Sequence, residues 1–506
     1  MFRRLLTVLL DSFIYGSGNA LGQVISLLLL PLYTKYLTPG DYGILSMLAL
    51  VPAVFLTLAA AGMKTALFRE FYRLDDPERR GKVLGTALAT ISGTAAVLLA
   101  IGVLLAEPLA AWLLKDASVA PIVRLSLLAS MIGAVGEVPR GLLQATRRVK
   151  TTTIINVLML LITIACTIYF VVALQWGVMG VIYGRLIGQG VSTASSFGFT
   201  FRNFSWTFDI SLWKKMSSFA LPYLPHRLLA MAMDNMDDFL VIYLLGKEQA
   251  GLYYVAIRIA APIGIASAAL EQAWAPYKYK VYAEDANPAS FFRSAFTYLS
   301  SANLYLWLGI SVWGPELVRS MTDPKFHPAA NLIWAVALIR TCRSFCPLLA
   351  TGVELGESSR WVPLTSLAGL ITVALGCFLL MPILGPIGAA LSASLAWLAM
   401  GAGYYIISQR QVKIKYDWFA VAAAVGVAGT LVYLGQSAQE LPVLLRLSAA
   451  LGISLCYPLA MGAALWWSSS EHYRMVRLWQ GLSALCGLRR SVEMPATEPA
   501  QKPPLA

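Results

Sequence analysis

Leu37-Thr-Pro-Gly-Asp-Tyr-Gly43-Ile44 and Leu245-Gly-Lys-Glu-Gln-Ala-Gly251-Leu252 share a pattern and stand 208 residues apart, each between two long apolar runs. The same offset separates Gly177-Val-Met-Gly180-Val181 from Gly385-Pro-Ile-Gly388-Ala389, and Pro139 from Pro347. Three matches at one offset mark an internal repeat, the sequence sign of a duplicated membrane bundle. An even number of apolar runs lies between successive copies. Both copies therefore face the same way, and a cleft is expected between them near a pseudo-two-fold axis along the membrane normal.

The apolar runs follow from composition. Of 506 residues, 58% are hydrophobic and 13% charged, against about 25% charged in an ordinary soluble protein. With a mean hydropathy of +0.67, the chain has too little polar surface to cover a soluble core, and soluble cores stop growing near about 250–300 residues. A soluble enzyme, a nucleic-acid-binding module and a disordered scaffold are excluded. A crossing needs about 20 apolar residues. Runs of that kind lie at 12–36, 42–66, 83–106, 121–143, 153–174, 177–200, 217–244, 251–275, 292–314, 330–352, 362–381, 386–408, 418–436 and 442–467. Thr38-Pro39-Gly40-Asp41 and Met381-Pro382 read as turns between them. The predicted fold is an all-α integral membrane protein of about 14 transmembrane helices. Two parallel-related six-helix lobes cover 1–208 and 209–416, and spans 13 and 14 follow within 417–468. The last part, 469–506, reads as a cytoplasmic amphipathic helix with a disordered tail.

The net charge of +13 does not imply nucleic acid, because the basic residues sit in small clusters between apolar runs. Arg3/Arg4, Arg69 to Lys82, Arg147/Arg148/Lys150, Lys214/Lys215, Lys278/Lys280, Arg410/Lys413/Lys415 and Arg474 to Arg490 alternate with poorly charged connections such as Gln175-Trp176. By the positive-inside rule both termini are cytoplasmic. The start, MFRRLLTVLLDS, reads as an interfacial helix and not a signal peptide. The six cysteines form no C-x-x-C pair, so no disulfide framework or metal site is expected.

Charges inside spans are expensive and face an interior or a watery cavity. Here cations outnumber anions: Arg185 in the sixth span, Arg227 in the seventh, Arg258 in the eighth, and Arg340 and Arg343 in the tenth. Guanidinium groups suit a phosphate or diphosphate, since their planar fork matches phosphate oxygens. Arg340 and Arg343 are three apart and share a helix face. The bland alternative is snorkelling or pairing with acids, and for Lys64 and Arg140, near the inner ends of their spans, snorkelling is the expectation.

In the seventh span Pro222 and Pro225 should break the helix before His226. Asp234, Asp237 and Asp238 follow near its outer end. With Glu271 and His226 they are candidates for coupling or gating, by binding a cation or proton or by answering arginines of the other lobe. A water-exposed outer cap is the competing reading of the three aspartates. Tyr253-Tyr254, Trp274-Ala-Pro-Tyr277 and Trp466-Trp467 lie near span ends and read as interfacial belt residues. No phosphate-binding loop, zinc motif or nucleophile elbow is present. The expected cofactor set is therefore empty, apart from coupling to an H+ or Na+ gradient or to the membrane potential.

The opening Gly16-SGNALGQVISLLLLPLYTKYLTPGDYG, the Phe68-Arg69-Glu70-Phe71-Tyr72 stretch, Ser218-FALPYLPH, Asp237-Asp238-Phe239-Leu240-Val241-Ile242 and Gly251-Leu-Tyr-Tyr-Val-Ala-Ile-Arg258 resemble the polysaccharide and oligosaccharide flippases. These belong to the multidrug/oligosaccharidyl-lipid/polysaccharide exporter superfamily. The resemblance covers about residues 10 to 465. It implies movement, with no bond broken, of an undecaprenyl-diphosphate-linked oligosaccharide across a bacterial inner membrane by alternating access. It also implies membrane lipids, the lipid-linked glycan, and polysaccharide polymerase and export machinery as partners, and no nucleic acid. That family often carries Asp-Arg where this chain has Asp237-Asp238, so a salt bridge from that arginine does not transfer. Three rivals stand beside this reading. A cation-coupled multidrug efflux transporter should show an apolar cleft with a buried acid. A peptidoglycan lipid-precursor flippase would share fold and cationic cavity. A membrane glycan polymerase or ligase would need a long acidic outer loop, and the longest outer loop, Pro315 to Pro328, is short, with Asp323 and His327 read as turn residues.

Overall fold

The computed structural model describes residues 27–467 except 28, 75, 147, 222, 285–287 and 356–361; for some residues within helices, His226 among them, the backbone alone is described. The interfacial helix expected at the start, most of the first span and the region 469–506 lie outside these residues. Within them the chain is helical and has no strand.

The helices are α1 (Leu30–Tyr36), α2 (Pro39–Ala60), α3 (Met63–Arg73), α4 (Pro77–Leu114), α5 (Ala120–Ala145), α6 (Val149–Ile168) and α7 (Gly177–Thr200). After α8 (Ile210–Ala220) come α9 (Tyr223–Leu240), α10 (Lys247–Glu284), α11 (Pro288–Met321), α12 (Ile333–Leu349) and α13 (Thr351–Leu355). The last four are α14 (Val362–Leu384), α15 (Pro386–Gln411), α16 (Trp418–Ser437) and α17 (Val443–Trp467). Ten helical stretches among the described residues are long and apolar enough to cross a membrane, and the protein is a multi-pass membrane protein. The runs at 177–200 and 292–314 are also helices, α7 with 24 residues and α11 with 34, though outside those ten. The seventh span is divided: α8 ends at Ala220 and α9 begins at Tyr223, where the prolines were expected to act.

Local chemistry sets several boundaries differently from the sequence expectation. Thr38-Pro39-Gly40-Asp41 is not a free turn but the first turn of α2. The Asp41 amide donates to Thr38 Oγ1 at 3.2 Å, and Asp41 Oδ2 accepts from the Thr38 amide at 2.8 Å. This capping box, with Pro39 at the first helical position, satisfies orphan amides of the helix start. Helix α14 continues through Pro382 to Leu384. The reversal falls instead at Gly385, whose φ of +58° matches the +53° of Gly177 one repeat earlier. A proline in a last turn forfeits only one hydrogen bond, whereas the Gly385 pairing of φ +58° with ψ −139° is one that a side chain forbids.

The two copies of the opening motif touch each other. A methyl on Gly43 would lie 2.9 Å from Lys247 Cα and closer still to its carbonyl oxygen. A methyl on Gly251 would lie 2.7 Å from the Pro39 carbonyl carbon and closer to its oxygen. Lys247 and Pro39 are themselves 208 residues apart, so the contact is reciprocal, with each glycine receiving the other copy's helix start. A second close seam joins α7 to α6 and to the helical turn Tyr169–Ala173 that follows α6. Methyls on Gly180, Gly184 and Gly188 would fall 2.9 Å from Phe170 Cβ, 2.9 Å from the Thr167 amide and 3.1 Å from the Met159 carbonyl. Small residues every fourth position let backbones approach, the main source of helix association where lipid is as apolar as leucine.

Candidate functional site

At the charge-poor end of the bundle the two halves of the chain are fastened. Beside the Gly43/Gly251 contact, Lys247 Nζ lies 3.4 Å from Asp116 Oδ2, the Asp323 amide donates to Thr34 Oγ1 at 3.4 Å, and Tyr42 meets Phe326 edge-on at 5.1 Å. Asp116 sits between helices. Hydrogen bonds from the Ser118 hydroxyl and amide, then the Lys247 ammonium, hold its carboxyl below the usual carboxylate range.

Below this seal, α10 and α12 line a cavity of about 370 Å³. It runs into a second chamber of about 560 Å³ that extends along α10, α12, α13 and α15 toward the basic end. These sizes suit a bound small molecule or headgroup. Arg258, Arg340 and Arg343 line the upper part with Glu271 and Tyr254. Arg258 lies eleven residues into α10, about 16 Å along its axis at about 1.5 Å per residue, so these charges sit well inside the bilayer depth. Tyr254 Oη accepts from Arg258 at 2.5 Å, and the guanidinium lies 4.8 Å over the same ring. Arg343 bonds Asp234 of α9 at 2.5 Å and stacks 5.0 Å over Trp397. Arg340 makes no hydrogen bond or ion pair with any described residue. Asp234, Asp237 and Asp238 act on it through space, but its guanidinium lines the cavity with donors that no described residue takes up, and these suit an anion.

Of the five candidate arginines the structure thus brings three together. Arg185 lines a separate cavity of about 320 Å³ among α2, α5, α6 and α7. Arg227 lies on α9 with its guanidinium 3.2 Å from Thr65 Oγ1. The three aspartates have three different settings. Asp234 pairs with Arg343 of the same half, not with an arginine of the other. Asp237 is 6% exposed and accepts from the Tyr253 hydroxyl at 2.6 Å, which overturns the exposed-cap reading for that residue. Asp238 is half-buried beside it. The His226 side chain lies outside the described residues.

Further expectations are corrected. Lys64 and Arg140 do not snorkel: both pair with Glu137, at 2.9 and 3.2 Å, and Arg140 also donates to the Gly133 carbonyl at 2.7 Å. Tyr253, Tyr254 and Trp274 are not belt residues. Tyr253 is fully buried, Tyr254 faces the cavity, and Trp274 is buried with its indole N–H donating to Thr351 Oγ1 at 3.2 Å. Lys278, assigned to a connection, lies inside α10, 2% exposed and paired with Glu354. Nothing in the sequence marks Trp397, Glu354 and Tyr404 as cavity residues: Trp397 lies in the middle of an apolar run, Glu354 and Tyr404 lie near run ends, and neither position tells which way the side chain faces.

Comparison with known proteins bears on this geometry. The sequence matches the polysaccharide biosynthesis protein family over residues 33–331, more than half of the chain. No curated protein matches it significantly. The structure is similar to that of the lipid II flippase MurJ in an inward closed conformation, with a TM-score of 0.70 and 13% identity, covering 88% of this chain and 98% of that one. It is also similar to an inward-facing multidrug resistance MATE transporter of the MOP superfamily, with a TM-score of 0.55 and 14% identity over 85% of this chain and 96% of that one. A MOP superfamily transporter from Pyrococcus furiosus gives 0.54 and 13% over 82% and 95%. At these identities the likeness establishes the fold. The family match and the helical architecture meet in one conclusion: the chain belongs to the polysaccharide biosynthesis protein family and has the fold of the MOP superfamily transporters.

Proposed function

We propose that the protein moves an undecaprenyl-diphosphate-linked oligosaccharide from the inner to the outer leaflet of a bacterial inner membrane, breaking no bond. On this reading the chain makes fourteen crossings with both termini cytoplasmic, and 1–208 and 209–416 are two lobes that rock about the reciprocal Gly43/Gly251 contact. The observation that carries the reading is the convergence of Arg258, Arg340 and Arg343 on one mid-depth cavity, with Arg340 unpaired. A diphosphate diester bears one negative charge on each phosphorus and fits that excess of cations by charge-assisted forks. The seal lies at the charge-poor, outer end, while the second chamber reaches the basic, cytoplasmic end. The state is thus the one that accepts substrate from the inner leaflet. Binding drives exchange by favouring one of two states over the other. Asp234, whose carboxylate pairs with Arg343, is the first coupling candidate, since an incoming phosphate competes for the same guanidinium. A drug extruder is disfavoured because the cavity is cationic. The fold shared with MurJ makes a lipid-linked peptidoglycan precursor the rival substrate.

Leaflet exposure of a fluorescent undecaprenyl-diphosphate oligosaccharide in proteoliposomes tests this. The wild type should move it, and Arg340→Ala with Arg343→Ala should lose movement while remaining folded. Movement retained by the folded double variant would remove the diphosphate from this cavity. No movement under any imposed gradient or potential would overturn the flippase reading, and faster movement of the peptidoglycan precursor would replace the substrate.

A further inference from the structure

The cavity changes character along its length. In the upper part Arg258, Arg340 and Arg343 line the wall with one carboxylate, Glu271, while Asp234, Asp237 and Asp238 of α9 act on these arginines from outside the lining. In the lower part Arg343 and Lys278 face Glu271 and Glu354, so the cation excess vanishes. Ala268, Glu271 and Arg343 belong to both parts and form the waist between them. Three of the charges at and below the waist are committed: Arg343 to Asp234 and the Trp397 ring, Lys278 to Glu354. Glu271 is not. Among the described residues it makes no hydrogen bond and no ion pair within 4.0 Å; the charges that act on it are Arg343 and Asp234.

We infer that Glu271 reads the sugar attached directly to the diphosphate, accepting a neutral or amino sugar there and rejecting a uronic acid. The inference rests on the diphosphate reading above and extends it by one subsite. With the diphosphate against Arg258, Arg340 and Arg343, the next group toward the open chamber passes the waist and meets Glu271. A free carboxylate is an acceptor without a donor of its own. Hydroxyl and N-acetyl N–H groups satisfy it with charge-assisted hydrogen bonds. A uronate instead brings a second carboxylate to a place where the neighbouring cations already have partners, and like charges so placed reject a ligand without weakening the correct one. The charge-balanced chamber beyond, with Tyr404 on its wall, presents nothing that selects for a polyanion.

The test uses the purified full chain and three probes: a short polyprenyl diphosphate, its glucosyl derivative and its glucuronosyl derivative. Wild type should bind the glucosyl compound about tenfold more tightly than the glucuronosyl one, the effect of one like charge at a partly screened site. Glu271→Gln should shrink that ratio toward unity. The ratio is the readout, so a change in diphosphate affinity common to both compounds cancels. Equal affinities in wild type, or an unchanged ratio in folded Glu271→Gln, would overturn the inference while binding of the bare diphosphate leaves the cavity's assignment intact. Binding of none of the three would overturn both.

Discussion

The reciprocal glycine contact permits a perturbation whose size follows from the coordinates. In Gly251→Ala the new methyl would stand 2.7 Å from the Pro39 carbonyl carbon, and ordinary contact begins near 3.4 Å. The starts of α2 and α10 must therefore part by more than the 0.7 Å that the carbon alone requires, since the Pro39 carbonyl oxygen stands nearer still. Neither neighbour is a flexible side-chain end; both are backbone held in a helix. Overpacking of this kind costs about 1–3 kcal/mol, and the cost is borne only by the state in which the charge-poor ends touch. The equilibrium should therefore shift about 5- to 150-fold toward states in which they are separated. Spin labels at Lys35 and Glu248, both exposed at that end, report the separation by distance distribution in a background with the cysteines replaced. A longer, broader distribution is expected for Gly251→Ala and for Gly43→Ala. In the double variant the two effects should sum to less than their total, because both wedge one seam. Gly198→Ala and Gly452→Ala, whose methyls meet nothing within 4 Å, control for the intrinsic helix preference of alanine. A folded Gly251→Ala protein with the controls' distribution would refute the reasoning.

Other outcomes follow from single contacts. Glu137→Gln leaves Lys64 and Arg140 without their shared carboxylate and should lower stability by about 1–2 kcal/mol, read as a fall in melting temperature; an unchanged value would mean that both cations reach water. Tyr253→Phe removes the donor to buried Asp237 and should destabilise by about 1–3 kcal/mol. Adding Asp237→Asn should restore part of this, and failure to do so would show that the bond is not what the tyrosine supplies. The Ser211 hydroxyl and the Leu212 and Ser211 amides hold the Asp209 carboxyl below its ordinary range. Its contribution to the start of α8 is therefore complete above the unfolded carboxylate pKa and is lost as pH falls through the lower folded value. Amide exchange at Ser211 and Leu212 should quicken there, after correction for intrinsic rates, and Asp209→Asn should show no such step.

The sequence made the repeat visible because a glycine that must receive another backbone tolerates no substitute, so Gly43 and Gly251 keep their register. It showed five deep arginines because a charge inside an apolar run is rare. It did not show that Arg258, Arg340 and Arg343 converge while Arg185 and Arg227 do not. Position along a helix gives depth, but convergence depends on how neighbouring helices are rotated. The misreadings of Tyr253, Tyr254, Trp274 and Lys278 share one cause. Nearness to the end of an apolar run was equated with nearness to water, yet α10 runs from Lys247 to Glu284, so the run's ends lie inside a packed helix. Asp237 was equally illegible, since its partner Tyr253 comes from the next helix.

The seam of Gly180, Gly184 and Gly188 against α6 bears on how the protein is made. Its attraction comes from backbone approach, not from water rejecting apolar surface, so it needs neither the rest of the bundle nor a finished chain. The α6–α7 hairpin can close as soon as both helices have left the insertion machinery, while everything after Thr200 is still being synthesised. A chain stopped after Asn203 should then already protect this hairpin from protease, and Gly184→Leu should abolish the protection. Early assembly would hand the later helices a finished wall to fold against.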